Sequence, residues 1–323
     1  MYKQFFGLRT NPFSVNPDPR FMFLTRHSQE ALACLTYGIQ SRRGFVLLSG
    51  EVGTGKTTLL NKLLDWLRGQ RVATAFIFNS QLDTPEIFDY MLADFGIPCE
   101  SRLKSQVLLR LYHWLLDRYR AGETAVLIID EAQNLSPQVL EEIRLLTNLE
   151  TATEKLLQIV LAGQPELEQK LNMPQLRQLR QRITLRCKTQ PLTEEETGAY
   201  VGQRLKIAGS NGNPIFSQEA LAAVHKYAGG IPRVINLLCD HALLSAFVDK
   251  QKQVGAELIE GVAREFDLLR PQALQPESSG ELIETLHNLA LLTERFRRPG
   301  ALSGMPEPRG PESPGKVVDS NEK

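Results

Sequence analysis

Two short stretches carry residue types that could do chemistry together. The first is Gly50, Glu51, Val52, Gly53, Thr54, Gly55, Lys56 and Thr57, with Thr58 directly behind. Glycines let the backbone curl until successive N–H groups point inward, a concavity suited to an anion. A helix opening near Gly55 adds its positive end. Lys56 then supplies a point charge for the β and γ phosphates of a nucleotide. Thr57 offers a hydroxyl to Mg²⁺, a hard cation that takes oxygen ligands. The second stretch is Val126, Leu127, Ile128, Ile129, Asp130 and Glu131. Four apolar residues read as a buried strand that releases two acids at its C-terminal end, the edge of an open parallel sheet where ligands bind. Asp130 is placed to hold Mg²⁺ through its water shell. Glu131 is placed to orient and polarise a water for attack on the γ-phosphate. A metabolic kinase would not need this second acid, and small GTPases position water differently.

Both stretches need a sheet to hold them. Apolar runs at 45–49, 73–79, 124–130 and 156–162, with a weaker one at 183–188, suit strands buried on both faces of a parallel sheet. Helical patterns fill the gaps. Ser28 reads as the start of one, and Thr84-Pro85 and Ser136-Pro137 as caps followed by Pro at the first helical position. The alternation predicts an α/β domain over 41–190, a parallel P-loop sheet flanked by helices. After Pro191 the strands stop. Thr193 and Glu196 form a capping box, and patterns at 193–208, 217–228, 232–248 and 255–268 predict a small all-helical lid over 191–270. Residues 1–40, rich in Phe and Pro, read as a strap across the next domain leading into the first helix. Residues 271–323 are rich in Pro, Gly, Ser and charge and read as a disordered tail. Within it, 281–296 has a helical apolar face that would dock on its own domain, bind a partner or not form at all.

The 323 residues carry 37 Lys+Arg against 37 Asp+Glu, so no global basic field holds nucleic acid, though a local patch could. No apolar run approaches the roughly 20 residues of a bilayer span. The start, MYKQFFGLRTNPF, is not that of a signal peptide. Cys34, Cys99, Cys187 and Cys239 are far apart and read as reduced core thiols of a cytoplasmic protein.

Over about residues 1–268 the chain resembles the AAA+ ATPases of the general secretion pathway protein A family (ExeA/GspA) and their pilus-biogenesis relatives. The resemblance lies in FFGL…NPFSVNPDPRFMFLTRHSQEAL, GEVGTGKTTL, LIIDEAQNL, LAGQPEL, LRQLRQRI and GGIPRVIN. The core is also similar to transposition regulators of the TniB/TnsC type and, more distantly, to replication initiator ATPases. The resemblance implies ATP as ligand and three further site residues. Gln164 would be the polar sensor between the acids and the γ-phosphate. Arg182, with Arg177 and Arg180 as close alternatives, would reach a neighbouring subunit's nucleotide. Arg233 would sense the phosphates from the lid. It also implies that the strap packs near the adenine, with Phe13 and the 17–20 stretch nearby. Phe5 and Phe6 read as core packing. His27 would touch either the nucleotide or its own helix.

The resulting expectation is an ATP-dependent homo-oligomer, hydrolysing ATP with Mg²⁺ through Lys56, Glu131, Gln164, Arg182 and Arg233. It would drive or regulate secretion or pilus-type envelope machinery. The family's secretion protein carries a membrane span and a wall-binding module beyond its ATPase core; here a membrane partner would supply those, holding a cytoplasmic chain at the inner membrane. The alternative is an ATP-dependent switch on DNA, with arginines in 177–186 and 264–270 lining a groove.

Overall fold

The computed structural model describes residues 2–14, 19–78, 82–98, 101 and 103–268. The tail and its 281–296 segment lie outside the described residues. Five strands form one parallel sheet: β1 Phe45–Ser49, β2 Val72–Ile77, β3 Thr124–Ile129, β4 Leu157–Gly163 and β5 Ile183–Lys188. Their spatial order is β2-β3-β4-β1-β5. The three inner strands are almost wholly buried, while β2 and β5 at the edges show partly exposed residues. This is why the inner strands read as unbroken apolar runs and β5 as a weak one.

Side chains alternate between the two faces of the sheet. Val46, Leu48, Val126, Ile128, Val160 and Ala162 meet residues of α2 (Arg26–Gln40) and α3 (Lys56–Arg68) on one side. A one-turn helix, α1 (Tyr2–Phe5), precedes them. Leu47, Ile77, Leu127, Ile129, Ile159 and Leu161 meet the other layer. That layer is α4 (Thr84–Asp94), α5 (Lys104–Arg120), α6 (Pro137–Leu146), α7 (Pro165–Leu171) and α8 (Arg177–Arg182). The register sets Ser49 beside Gly163 and Ile129 beside Leu161, so the carboxyl ends of β1, β4 and β3 lie together. The chemistry-bearing residues follow those ends.

Among the described residues beyond Lys188 the elements are four helices, α9 Glu194–Ile207, α10 Gln218–Ala228, α11 Pro232–Val248 and α12 Ala256–Glu265, with one isolated bridge between Phe216 and Val254. They share a separate apolar core. The Thr193–Glu196 capping box is present, as is the Ser136 cap. Two helix starts differ from the sequence reading. Helix α2 is capped by Thr25, whose hydroxyl accepts the Ser28 amide. Asp83, not Thr84, caps α4 through a capping box with Glu86.

The strap also differs from expectation. It starts with α1, and Leu8, Phe13 and Phe21 are buried in the helical core rather than against the sheet. The Tyr2 hydroxyl donates to Asp240 at 2.5 Å, and Lys252 caps the Phe5 carbonyl at 2.7 Å while sitting over its ring. Cys34, Cys187 and Cys239 are free thiols; Cys99 lies outside the described residues. Among the described residues no helix is long and apolar enough to cross a membrane.

Candidate active site

The loop from Gly50 to Gly55 leaves β1 and delivers Lys56 as the first residue of α3. Lys56 is buried, 6% exposed, and its ammonium donates to the carbonyls of Gly50 at 2.7 Å and Glu51 at 3.0 Å. Burial holds its pKa below the usual lysine value, while Glu131, Asp130, Glu51 and Glu166 pull the other way. A cation held in this way gains from any anion that enters the loop. Thr54 is buried and shares a 2.7 Å hydrogen bond with Thr189, just past β5.

Thr57 and Asp130 are 73 residues apart, yet the Thr57 hydroxyl donates to Asp130 Oδ2 at 2.9 Å. Asp130 is 4% exposed. Its carboxyl is raised above the ordinary value, chiefly by burial; the hydrogen bonds from Thr57 and from the Glu131 amide oppose the rise. Glu131 stands in the left-handed region, φ 52° and ψ 36°, at the head of the turn Ala132–Asn134. A non-glycine residue held there is strained, and such strain collects at functional sites. Its carboxylate accepts from Gln164 Nε2 at 3.2 Å and Gln133 Nε2 at 2.6 Å. The loop, both acids and Gln164 therefore meet in one corner.

A cleft of about 460 Å³ opens from this corner toward the helices. Val52 to Thr58 and Glu131 line its sheet end, and Arg233, at the start of α11, lines the far side. The Arg233 amide donates to the Gly53 carbonyl at 3.4 Å, which ties α11 to the loop between β1 and α3. Phe13 does not line the cleft: it is 1% exposed and packs edge-on against Phe216. Ser14, Phe21, Met22, Phe23 and Leu24 supply the strap's share instead. Pro17 and Asp18 lie outside the described residues. His27 sits half-exposed beside Glu30 on α2 and is not part of the cleft wall.

None of the three candidate arginines lines the cleft. Arg182 is half-buried, and its guanidinium donates to the Thr147 hydroxyl at the end of α6. Arg180 donates to Asn172 at 2.9 Å, and Arg177 is exposed.

Tyr200 and Arg204 line the cleft without belonging to any motif, and Asn236, the last residue of GGIPRVIN, lines it with them. Arg204 is 7% exposed, and among the described residues no carboxylate pairs with it. Its Nε donates to the Pro12 carbonyl at 2.6 Å and Nη1 to the Tyr200 hydroxyl at 2.8 Å. The guanidinium lies over the rings of Phe21 and Tyr200, at 4.9 and 5.2 Å. Carbonyl, phenol and ring faces thus replace a counter-ion. Tyr200 in turn donates to Asn236 at 3.0 Å. The one available signal was the four-residue spacing of Tyr200 and Arg204 on one helical face.

Residues 39–171 match the AAA domain family. That match spans the loop after β1, both acids and Gln164. Over 248 residues, 76% of its length, it is 48% identical to general secretion pathway protein A of Aeromonas hydrophila. It spans only 45% of that relative. The AAA+ fold is shared with Cdc6p of Pyrobaculum aerophilum, at TM-score 0.60 and 19% identity, over 77% of this chain and 71% of that one. It is shared too with the Drosophila ORC bound to DNA, at TM-score 0.62 and 20% identity, over 88% and 71%. At these identities the two structures attest the AAA+ fold alone.

Proposed function

We propose that the chain binds ATP with Mg²⁺ in this cleft, hydrolyses it, and uses the cycle to drive or regulate an envelope assembly of the secretion or pilus type. The observation that carries the ATPase half is the 2.9 Å contact between Thr57 and Asp130, with Lys56, Glu131 and Gln164 in the same corner. The pathway half rests on the likeness to general secretion pathway protein A.

The residues present fit a magnesium ion: a hydroxyl and a buried carboxylate already face each other, both hard oxygen donors. Among the described residues no cluster of three His, Cys, Asp or Glu exists, so phosphate oxygens and water would complete the shell. When bound, the ion neutralises charge on the β and γ phosphates. Lys56 exchanges two carbonyl partners for phosphate. Glu131, fixed by two amide donors, orients the attacking water and takes up its proton. Gln164 bonds that carboxylate and stands beside the γ-phosphate. Arg233 reports phosphate occupancy to the lid through its place at the start of α11. Arg182 has first to leave Thr147 before it can serve a neighbour's nucleotide, which makes hydrolysis depend on assembly. The protein then works in the cytoplasm, reaching the inner membrane through a partner.

Two variants test this. Lys56→Ala loses nucleotide binding measured by isothermal calorimetry; unchanged affinity refutes the assignment. Glu131→Gln keeps ATP but turns it over at least about 10²-fold more slowly, the low end for loss of a general base. Normal turnover in that variant removes Glu131 from the role. DNA binding that requires ATP and weakens steeply with salt would move the pathway half to the DNA-switch alternative.

A further inference from the structure

Gln133 has so far appeared only as a donor to Glu131, yet its side chain joins two parts of the site. It lies in the turn Ala132–Asn134, two residues past Glu131. Its Nε2 donates to Glu131 Oε2 at 2.6 Å, and its Oε1 accepts the backbone N–H of Gln164 at 3.1 Å. Gln164 Nε2 donates to the same oxygen of Glu131 at 3.2 Å. The three residues close a ring of hydrogen bonds between the end of β3 and the end of β4.

The ring is held from outside as well. The Lys170 ammonium, on α7, donates to the carbonyls of Gln133 and Leu135, pinning the turn to the helix that follows Gln164. Gly163, the last residue of β4, leaves room for the amide: a Cβ there would sit 2.8 Å from Gln133 Oε1 and 2.8 Å from Leu167 Cδ2. Gln133 is thus set to one geometry by a lysine behind it and a missing side chain in front of it. An amide is the group this place requires, since one end must donate to a carboxylate and the other must accept from a backbone N–H.

We propose that Gln133 is a positioning residue for ATP hydrolysis, its amide stapling the Glu131 carboxylate to the end of β4 so that Glu131 and Gln164 move as one body. The inference rests on the ATPase reading. It adds that the water-orienting carboxylate is aimed by a residue that touches neither nucleotide nor water. Any shift of β4 or α7 therefore reaches Glu131 through the Gln133 amide.

The test uses the full chain and steady-state ATP hydrolysis, with the dissociation constant of a fluorescent ADP analogue and the melting temperature measured beside it. Gln133→Ala lowers kcat by about 10–100-fold, the loss typical when a group that orients a reacting ligand is removed. KM and the ADP-analogue affinity stay within about twofold, because the lost contact acts on the chemical step. Gln133→Glu keeps the size and the acceptor for Gln164 but sets a second carboxylate against Glu131. It falls at least as far as Gln133→Ala, whereas a space-filling role would leave it near the parent. The double variant Gln133→Ala with Gln164→Ala loses little more than Gln164→Ala alone, the non-additivity of groups acting as a unit. Parental kcat in Gln133→Ala, parental kcat in Gln133→Glu, or losses that multiply in the double variant would overturn the proposal. Glu131→Gln is run in parallel. If it hydrolyses ATP at the parental rate, the ATPase reading itself fails; if it is slow while the Gln133 variants are normal, only the staple is wrong.

Discussion

Asp130 illustrates what burying a carboxylate costs a fold. Burial raises its pKa above the ordinary value of 3.8, so the native state holds this proton more readily than the unfolded chain does. Stability of the nucleotide-free protein therefore declines as pH rises from 3.8 through the raised value, and the penalty is complete above it. Asp130→Asn removes the charge while keeping a polar side chain beside Thr57. That variant melts higher than the parent at pH 7, by an increment that shrinks as pH falls toward 4, in scanning calorimetry without nucleotide. Its hydrolysis falls by about 10²–10³-fold, the range for losing one electrostatic stabiliser. A parent and variant with equal melting points at pH 7 would show that Thr57 and the Glu131 amide fully offset the burial. The phosphate loop and acid pair were legible because each motif ties residue type to a strand end. Gln133 and Arg204 were not, because a glutamine and an arginine gain such roles only from the partners the fold brings to them.

Helix and strand positions followed from pattern where burial was complete. The inner strands gave themselves away as apolar runs; their lateral order did not, since β1 pairs with β4 and β5 across more than a hundred residues. Caps slipped where two competent residues share one turn. Thr25 and Ser28 could each accept an amide, as could Asp83 and Thr84, and the chain's approach to the helix decides between them. Phe13 was misplaced for a different reason: an aromatic residue among prolines announces burial but not which core receives it. The junction between sheet and helices depends on Gly230. It has φ +73°, and a Cβ there would lie 2.1 Å from the Leu192 carbonyl oxygen, which accepts no relief because Leu192 N donates back to Gly230 O at 2.8 Å. Gly230→Ala adds about 1–2 kcal/mol of left-handed strain to that collision. The variant unfolds at lower urea concentration than the parent, with the helical lid losing amide-exchange protection before the sheet. Exchange that is unchanged across α9–α12 would contradict this account of the junction.

None of Arg177, Arg180 and Arg182 lines the cleft, so the proposed in-trans role predicts a rate that depends on how protomers meet. Arg182→Ala and Glu131→Gln protomers are each slow alone. Mixed, they recover part of the parental hydrolysis, because one donates the guanidinium and the other the intact acid. Recovery peaks at intermediate ratios in a steady-state assay, and no recovery at any ratio would assign hydrolysis to single protomers. Substituting Arg177 or Arg180 in the same mixing assay identifies which arginine acts; Arg182 begins at a disadvantage because Thr147 already holds it.

The Arg204 bond to the Pro12 carbonyl links positions 192 residues apart. A ribosome adding about 5–20 residues per second needs about 10–40 s to cover that distance. During that interval the first aromatic segment has left the tunnel while the helices that shelter it are still unmade. Leu8, Phe13 and Phe21 stay without their partners, and the wall beside Phe21 and Tyr200 cannot close until the final third of the described chain is synthesised. The sheet can fold early, but competence for nucleotide arrives late, when the last helices come back to meet the beginning.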